Sequence, residues 1–231
     1  MTMTLQEAIQ ARHSVRAYKA QPLSDADAQA LQEKIAALNE EGQLHMQLIR
    51  NEPKAFLGPF ARYGKFSGVT DYVVMIGKNA DDLDERIGYY GEQLVLFAQT
   101  QGMNTCWVGL SYTKIPGTYV LDNGEKIGCY IAIGYGETQG VSHKIKRIDQ
   151  VSNVGDDSPE WFRRGVEVAL LAPTAINQQK FSFELLPAAA DQPARVLAKR
   201  HFSLVGYTQM DLGIAKYHFE IGAGKENFQW A

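Results

Sequence analysis

Apolar residues recur along this chain at two spacings, about 3.6 and 2, and the changes of rhythm divide it into helices and strands. Thr4-Leu5-Gln6-Glu7 has the spacing of a capping box, and Leu5, Ala8 and Ile9 then mark one helical face. That helix ends in Arg12-His13-Ser14-Val15-Arg16. A second helix begins at Ser24, after Pro22 and Leu23, and follows the stripe Leu31, Ile35, Leu38. Residues 45–50 are a candidate strand, and 51–68 is a loop with Gly and Pro punctuation and a short helical turn. Asp71-Tyr72-Val73-Val74-Met75-Ile76 is a β-branched strand closed by Gly77.

The stretch 83–101 is a long, mostly apolar helix with Gly102 at its end, and such a helix belongs inside. Strands follow at 105–110 and 129–134. A helix over 161–171 must stop before Pro173, because the residue ahead of a proline avoids the α region. Phe181, Phe183 and Leu185 alternate as in a half-buried strand, and 212–223 is a last helix. No Pro-rich or Gly/Ser-rich linker interrupts this order. The expectation is one α+β domain over 1–231, a mixed or antiparallel central sheet flanked by helices. A faint internal echo runs against it: 88–107 and 212–230 each pass from a helix through Gly and Asn to a Trp. The alternative is therefore two related halves, about 1–150 and 151–231.

Composition narrows the class. With 45% hydrophobic and 21% charged residues, the 231-residue chain is an ordinary globular protein. A net charge of −3 lacks the basic excess of a nucleic-acid binder. Cys106 and Cys129 form no CxxC pair and fit free thiols in a reducing compartment. No apolar run approaches the ~20 residues of a membrane span, and the N-terminal stretch has no apolar signal region. The expectation is a cytoplasmic protein with neither nucleic-acid nor membrane partners.

Most catalytic signatures are missing. His13, His45, His143, His201 and His218 fall at no metal-ligand spacing, so no metal site is expected. There is no GxSxG elbow, and Gly134-Tyr135-Gly136 makes a poor dinucleotide fingerprint. Cys106 beside Trp107 suits a small core residue better than a nucleophile. His218 suits packing or capping. No side chain stands out as catalytic. Two basic clusters remain. Arg12 to Arg16 gathers two guanidiniums, an imidazole and a hydroxyl, and guanidinium forks match phosphate oxygens. His143-Lys144-Ile145-Lys146-Arg147 is the second. Taken alone, each is equally a solvated charge cluster, the first completing a helix dipole.

Four stretches carry a resemblance. RHSVRAY (12–18), LVLFAQTQGMNTCWVGL (94–110), APTAINQQKFSF (172–183) and DLGIAKYHFE (211–220) stand in this order over nearly the whole chain. Together they resemble the flavin-dependent nitroreductase superfamily, in the branch whose Ala-Pro-Ser-Ala-x-Asn-x-Gln motif comes late. The resemblance implies FMN as cofactor and NAD(P)H as reductant. It implies that Arg12, His13, Ser14 and Arg16 bind the phosphate, with Lys144 and Lys146 closing on it. It implies that Trp107, Val108, Gly109 and Leu110 form the turn against the flavin ring, Gly109 allowing close approach. Gly64 and Lys65 correspond to a loop near the pyrimidine, and Pro173, Thr174, Ala175 and Asn177 to a turn reaching over the flavin. Thr174 keeps the hydroxyl of the usual Ser, while the Pro-Trp that commonly closes the motif is absent.

The implied activity is a ping-pong hydride transfer from NAD(P)H through flavin to a small-molecule electron acceptor, a nitroaromatic or a quinone. The cofactor would do the hard chemistry, so no nucleophile is needed. Two other readings stay open. One is a flavin-binding sensor with little turnover, its ring covered by a lid such as 149–161. The other is a structural domain without cofactor. Whether the late motif completes a site within one chain or across a homodimer is open as well.

Overall fold

The computed structural model describes residues 3–187 and 193–231. α1 (Leu5–Ala11) starts with the expected capping box, Thr4 and Glu7 each satisfying the other's backbone N–H. α2 (Asp25–Gly42) is capped by the Ser24 side chain and buries Leu31, Ile35 and Leu38. It runs past Leu38 to a left-handed residue, Gln43. β1 (Gln47–Ile49) is shorter than its candidate stretch. The loop after it holds a 3₁₀ turn (Pro53–Phe56) and α3 (Pro59–Tyr63).

β2 (Asp71–Lys78) continues through Gly77 and is buried along all but its last residue. α4 (Leu83–Thr100) buries the larger part of its circumference, as its apolar sequence demanded, and leaves Arg86, Tyr89, Tyr90, Gln93 and Phe97 half-buried on the remaining side. β3 (Asn104–Val108) and β4 (Glu125–Gly134) complete a four-stranded antiparallel sheet in the order β1-β2-β4-β3. One face of this sheet packs on α2 and α4 through Val73, Met75, Ile131 and Ile133. The other face packs on Val15, Tyr18, Phe56 and Phe66.

The later part builds a second layer. α5 (Glu160–Ala169), β5 (Phe181–Leu185), β6 (Arg195–Arg200), α6 (Thr208–Ala223) and β7 (Gln229–Trp230) surround a third core of Phe162, Phe181, Phe183, Phe219 and Phe228. β6 lies between β5, antiparallel, and β7, parallel. The sequence pattern signals neither β6 nor β7. β6 buries only Val196 fully, and β7 is two residues long. α6 begins four residues earlier than its apolar run, where Tyr207 takes a left-handed conformation.

α4 and α6 join the two layers by direct backbone contact. A Cβ on Gly88 would lie 2.0 Å from the Met210 carbonyl oxygen, and one on Gly213 would lie 2.0 Å from the Glu85 carbonyl oxygen. Each glycine thus meets the residue three positions before the other, so the contact is reciprocal.

Part of the segment 149–161 is tied into the fold. Val151 is buried, Phe183 N donates to its carbonyl at 2.8 Å, and Ser152 bridges Phe183 in parallel. Asn153 exchanges two hydrogen bonds with the Leu185 backbone. The segment extends the small sheet past β5, because the unpaired edge of that strand offers backbone groups that need partners.

Candidate functional site

α1 stops at Ala11 because Arg12 leaves helical space, at φ −71° and ψ 119°. From there the chain runs extended along the free edge of β3. Ser14 bridges Thr105, and Val15 N donates to Thr105 O at 3.0 Å. Side chains of an extended segment alternate between two sides. Arg12, Ser14 and Arg16 accordingly gather at the buried Cys106 thiol. Burial pushes that thiol up, and Arg16, a Ser14 hydrogen bond and Arg12 pull it back. His13 faces the other way, its Cβ 2.8 Å from where a side chain on Gly140 would begin. Its imidazole is lowered by burial, then by Arg12 and His143. The four residues expected at one phosphate therefore divide into a line of three and an outlying His13.

Nor is this wholly a solvated basic cluster, although Arg16 is exposed. Arg12 is only 3% exposed. Its Nε lies 3.8 Å from Glu92 Oε1, an ion contact rather than a hydrogen bond, and has no hydrogen-bond partner among the described residues. Burial pulls the guanidinium below its ordinary value while Glu92 holds it up. Glu92 is fully buried on α4. Trp107 Nε1 donates to its Oε2 at 2.9 Å, and His218 Nε2 on α6 faces its Oε1 at 2.9 Å. The other ring nitrogen of His218 faces Val168 O at 3.3 Å. One carboxylate thus holds together the ends of α1 and β3 and the middle of α6. His218 is packed, as its sequence context suggested, but as part of this network.

Trp107 and Val108 end β3 and open the turn through Gly109 and Leu110. Leu110 is 76% exposed. A Cβ on Gly109 would fall 2.6 Å from the Tyr207 ring, so the turn lies flat against the start of α6. Gly64 ends α3, and a Cβ there would fall 2.6 Å from the Ser111 side chain. Lys65 follows, exposed and left-handed at φ 60°. Arg16 stands over Phe66 at 6.0 Å. These contacts bring the 64–66 loop, the 107–111 turn and the Arg12 line to one end of β3.

The late turn arrives beside them from the same chain. Pro173 and Thr174 lead into a tight turn over Ala175, Ile176 and Asn177. Ile176, Asn177 and Gln179 all have positive φ (47°, 59° and 45°), a costly conformation for a β-branched residue above all. The turn is held from several sides. Asp211 on α6 accepts from Ala175 N at 2.9 Å and from Gln178 Nε2 at 2.7 Å. Gln178 also donates to Gly206 O, and Thr174 Oγ1 accepts from Gln179 N. Burial pushes the Asp211 carboxyl up to about 6, against the pull of those two donors.

Lys144 and Lys146 belong to this turn more closely than to Arg12. Lys144 is exposed, and its carbonyl accepts from Asn177 Nδ2 and Gln179 Nε2. Lys146 Nζ donates to Gln179 O at 2.6 Å, and its ammonium is lowered by burial and by Lys180. Sequence reasoning missed Glu92, Tyr207, Asp211 and Gln179. Of these, Asp211 and Gln179 stand inside the stretches 211–220 and 172–183 that carry the resemblance, and Glu92 left a signal as an acid two residues before Leu94, Val95 and Leu96.

Among the described residues, one trio holds metal-ligating atoms within 4.8 Å of one another: His45, Asp122 and Glu125. The Gln47 amide is fixed by Val120, accepting from its N and donating to its O. The same Gln47 Nε2 faces His45 Nε2 at 3.2 Å, which makes that ring nitrogen an acceptor. The ring proton then sits on Nδ1 and is donated to Glu125 at 2.8 Å. The trio is a clasp between the approach to β1 and the start of β4.

An antiparallel four-stranded sheet, an Arg-x-Ser-x-Arg line on its edge and a paired-helix core define a nitroreductase-like α+β protein. The chain belongs to the family described as "Putative TM nitroreductase", whose model matches residues 4–223. Among solved structures, a putative nitroreductase from Thermotoga maritima aligns over 98% of this chain and 86% of its own, with 20% identity and a TM-score of 0.65. Two shorter proteins of the same description were solved in complex with FMN. The one from Exiguobacterium sibiricum aligns over 64% of this chain and 95% of its own (17% identity, TM-score 0.52). The one from Desulfovibrio desulfuricans aligns over 67% and 98% (16% identity, TM-score 0.53). No curated protein matches the chain. No helix among the described residues is long and apolar enough to cross a membrane.

Proposed function

We propose that this chain binds FMN and acts as an NAD(P)H-dependent oxidoreductase, reducing nitroaromatic or quinone-like acceptors in a ping-pong cycle. The observation that carries the reading is Arg12, a buried guanidinium with an orphaned Nε, in line with Ser14 and Arg16 at the end of β3. Such a group is expensive unless an anion or acceptor completes it. Family membership and the FMN found in two relatives of similar fold support the same group.

Arg12, Ser14 and Arg16 would hold the phosphate and ribityl oxygens, with Lys144 and Lys146 supplying further positive charge. The 107–110 turn would offer backbone N–H groups to the ring, Gly109 keeping side-chain bulk away. Gly64 and Lys65 would border its pyrimidine edge, and the Thr174, Ala175 and Asn177 turn would close over it. Bound FMN supplies the hydride chemistry. Cations and N–H dipoles fixed beforehand stabilise the negative charge that reduction creates. None of these side chains has to act as a nucleophile.

The test is the visible spectrum of the purified protein before and after FMN addition and desalting. A retained flavin band is expected in the wild type, and Arg16→Ala should weaken FMN binding by roughly tenfold or more. Oxidation of NADH or NADPH with a quinone acceptor then measures turnover. A wild-type protein that keeps no FMN overturns the proposal. One that keeps FMN but turns over neither nucleotide is a flavin-binding protein without this activity.

A further inference from the structure

We infer that Glu92 is a positioning residue for the proposed cofactor: its buried negative charge keeps Arg12 charged, inside the fold and aimed at the anionic part of the ligand. The inference rests on the FMN reading above.

Three observations carry it. Glu92 is fully buried and Arg12 nearly so, and they come from elements 80 residues apart. A guanidinium on a long stem normally extends to water, and one that stays inside needs an opposite charge. Their separation, 3.8 Å at Nε, compensates charge without consuming the donor, so Arg12 is neutralised in part but not satisfied. Glu92 is itself fixed by two other groups, Trp107 Nε1 on Oε2 at 2.9 Å and His218 Nε2 at 2.9 Å on Oε1, the oxygen that Arg12 faces. The carboxylate cannot swing toward a bound anion or away from Arg12. The direction of the guanidinium is therefore set before any ligand arrives. Burial alone would draw the guanidinium below its ordinary value, and Glu92 opposes that.

A merely structural Glu92 and a positioning Glu92 differ in one measurable respect. If Glu92 acts on the ligand through Arg12, its removal matters only while Arg12 is present. Glu92→Gln keeps the size and one acceptor oxygen while deleting the charge. The FMN dissociation constant is measured by flavin fluorescence for the wild type, Glu92→Gln, Arg12→Gln and the double variant. Glu92→Gln should weaken FMN binding by roughly tenfold. The double variant should match Arg12→Gln within about twofold, although it loses thermal stability. Losses that multiply in the double variant, or a Glu92→Gln affinity equal to wild type, overturn the inference. Should Glu92→Gln fail to fold, the pair Arg12→Gln and Arg12→Gln/Glu92→Gln decides, since Glu92 keeps Trp107 and His218 in the first and the second removes both charges. Equal affinities uphold the inference and a further loss overturns it. A wild type that binds no FMN removes the underlying reading, whereas binding with multiplying losses removes this inference alone.

Discussion

Asp211 shows how a single side chain ties the late turn to the fold, and at what electrostatic cost. Its carboxylate caps Ala175 and Gln178 from inside the protein, where burial raises its proton affinity to a pKa of about 6. The folded form therefore holds this proton more tightly than the unfolded chain. The corresponding stability is complete below the ordinary carboxylate range and is lost as pH rises through about 6. Chemical denaturation of the wild type and Asp211→Asn from pH 4 to 7 should show the wild type losing about 2 kcal/mol relative to the variant. A difference that stays flat with pH would mean that Asp211 is not raised. At this scale the sequence was partly legible. Arg12, Ser14 and Arg16 stood out as a cluster because of their types. That they form a line, with His13 turned aside, follows from extended backbone, which the motif does not encode. Glu92 was visible as an acid in an apolar helix, but its partners Arg12, Trp107 and His218 come from three distant segments.

The helices and the larger strands were legible because their periodicity reflects a buried face. Thr4 to Glu7, the stripe on α2 and the broad buried face of α4 follow directly from it. β6 and β7 left no pattern, since β6 is half covered and β7 has two residues. The stretch 149–161, a candidate lid under the sensor reading, pairs in part along β5, since a polar stretch can pair along a strand edge as readily as it can cover a site. The contact between α4 and α6 makes the most demanding claim on sequence at this scale. With the neighbouring carbonyl 2.0 Å from the position of a new methyl carbon, Gly213→Ala should destabilise the protein by about 3 kcal/mol. The same change at Gly155, where nothing lies within 4 Å, serves as the control and should cost less than about 0.5 kcal/mol. Thermal melts of the two variants separate the cases. Equal melting temperatures would show that the helices have room to part.

Over the whole molecule, the division into a four-stranded and a three-stranded layer does not make two independent bodies. Trp107 packs against the cores of both layers, and Glu92 and His218 connect α4 with α6 inside the protein. Calorimetry should accordingly show one cooperative transition, with the van't Hoff and calorimetric enthalpies equal. Two resolved transitions would mean that the layers unfold separately. The faint sequence echo, a helix running through Gly and Asn to a Trp in each part, falls on α4 with Trp107 and on α6 with Trp230, and says nothing of how the two helices meet. The reciprocal glycine contact is of the kind two identical subunits make across a twofold axis, yet here both helices belong to one polypeptide. Their association is then governed by an effective concentration set by the intervening chain, not by the amount of protein in solution. The packing that joins Glu92 on α4 to His218 on α6 therefore persists on dilution to nanomolar levels, where the same contact between separate chains would come apart.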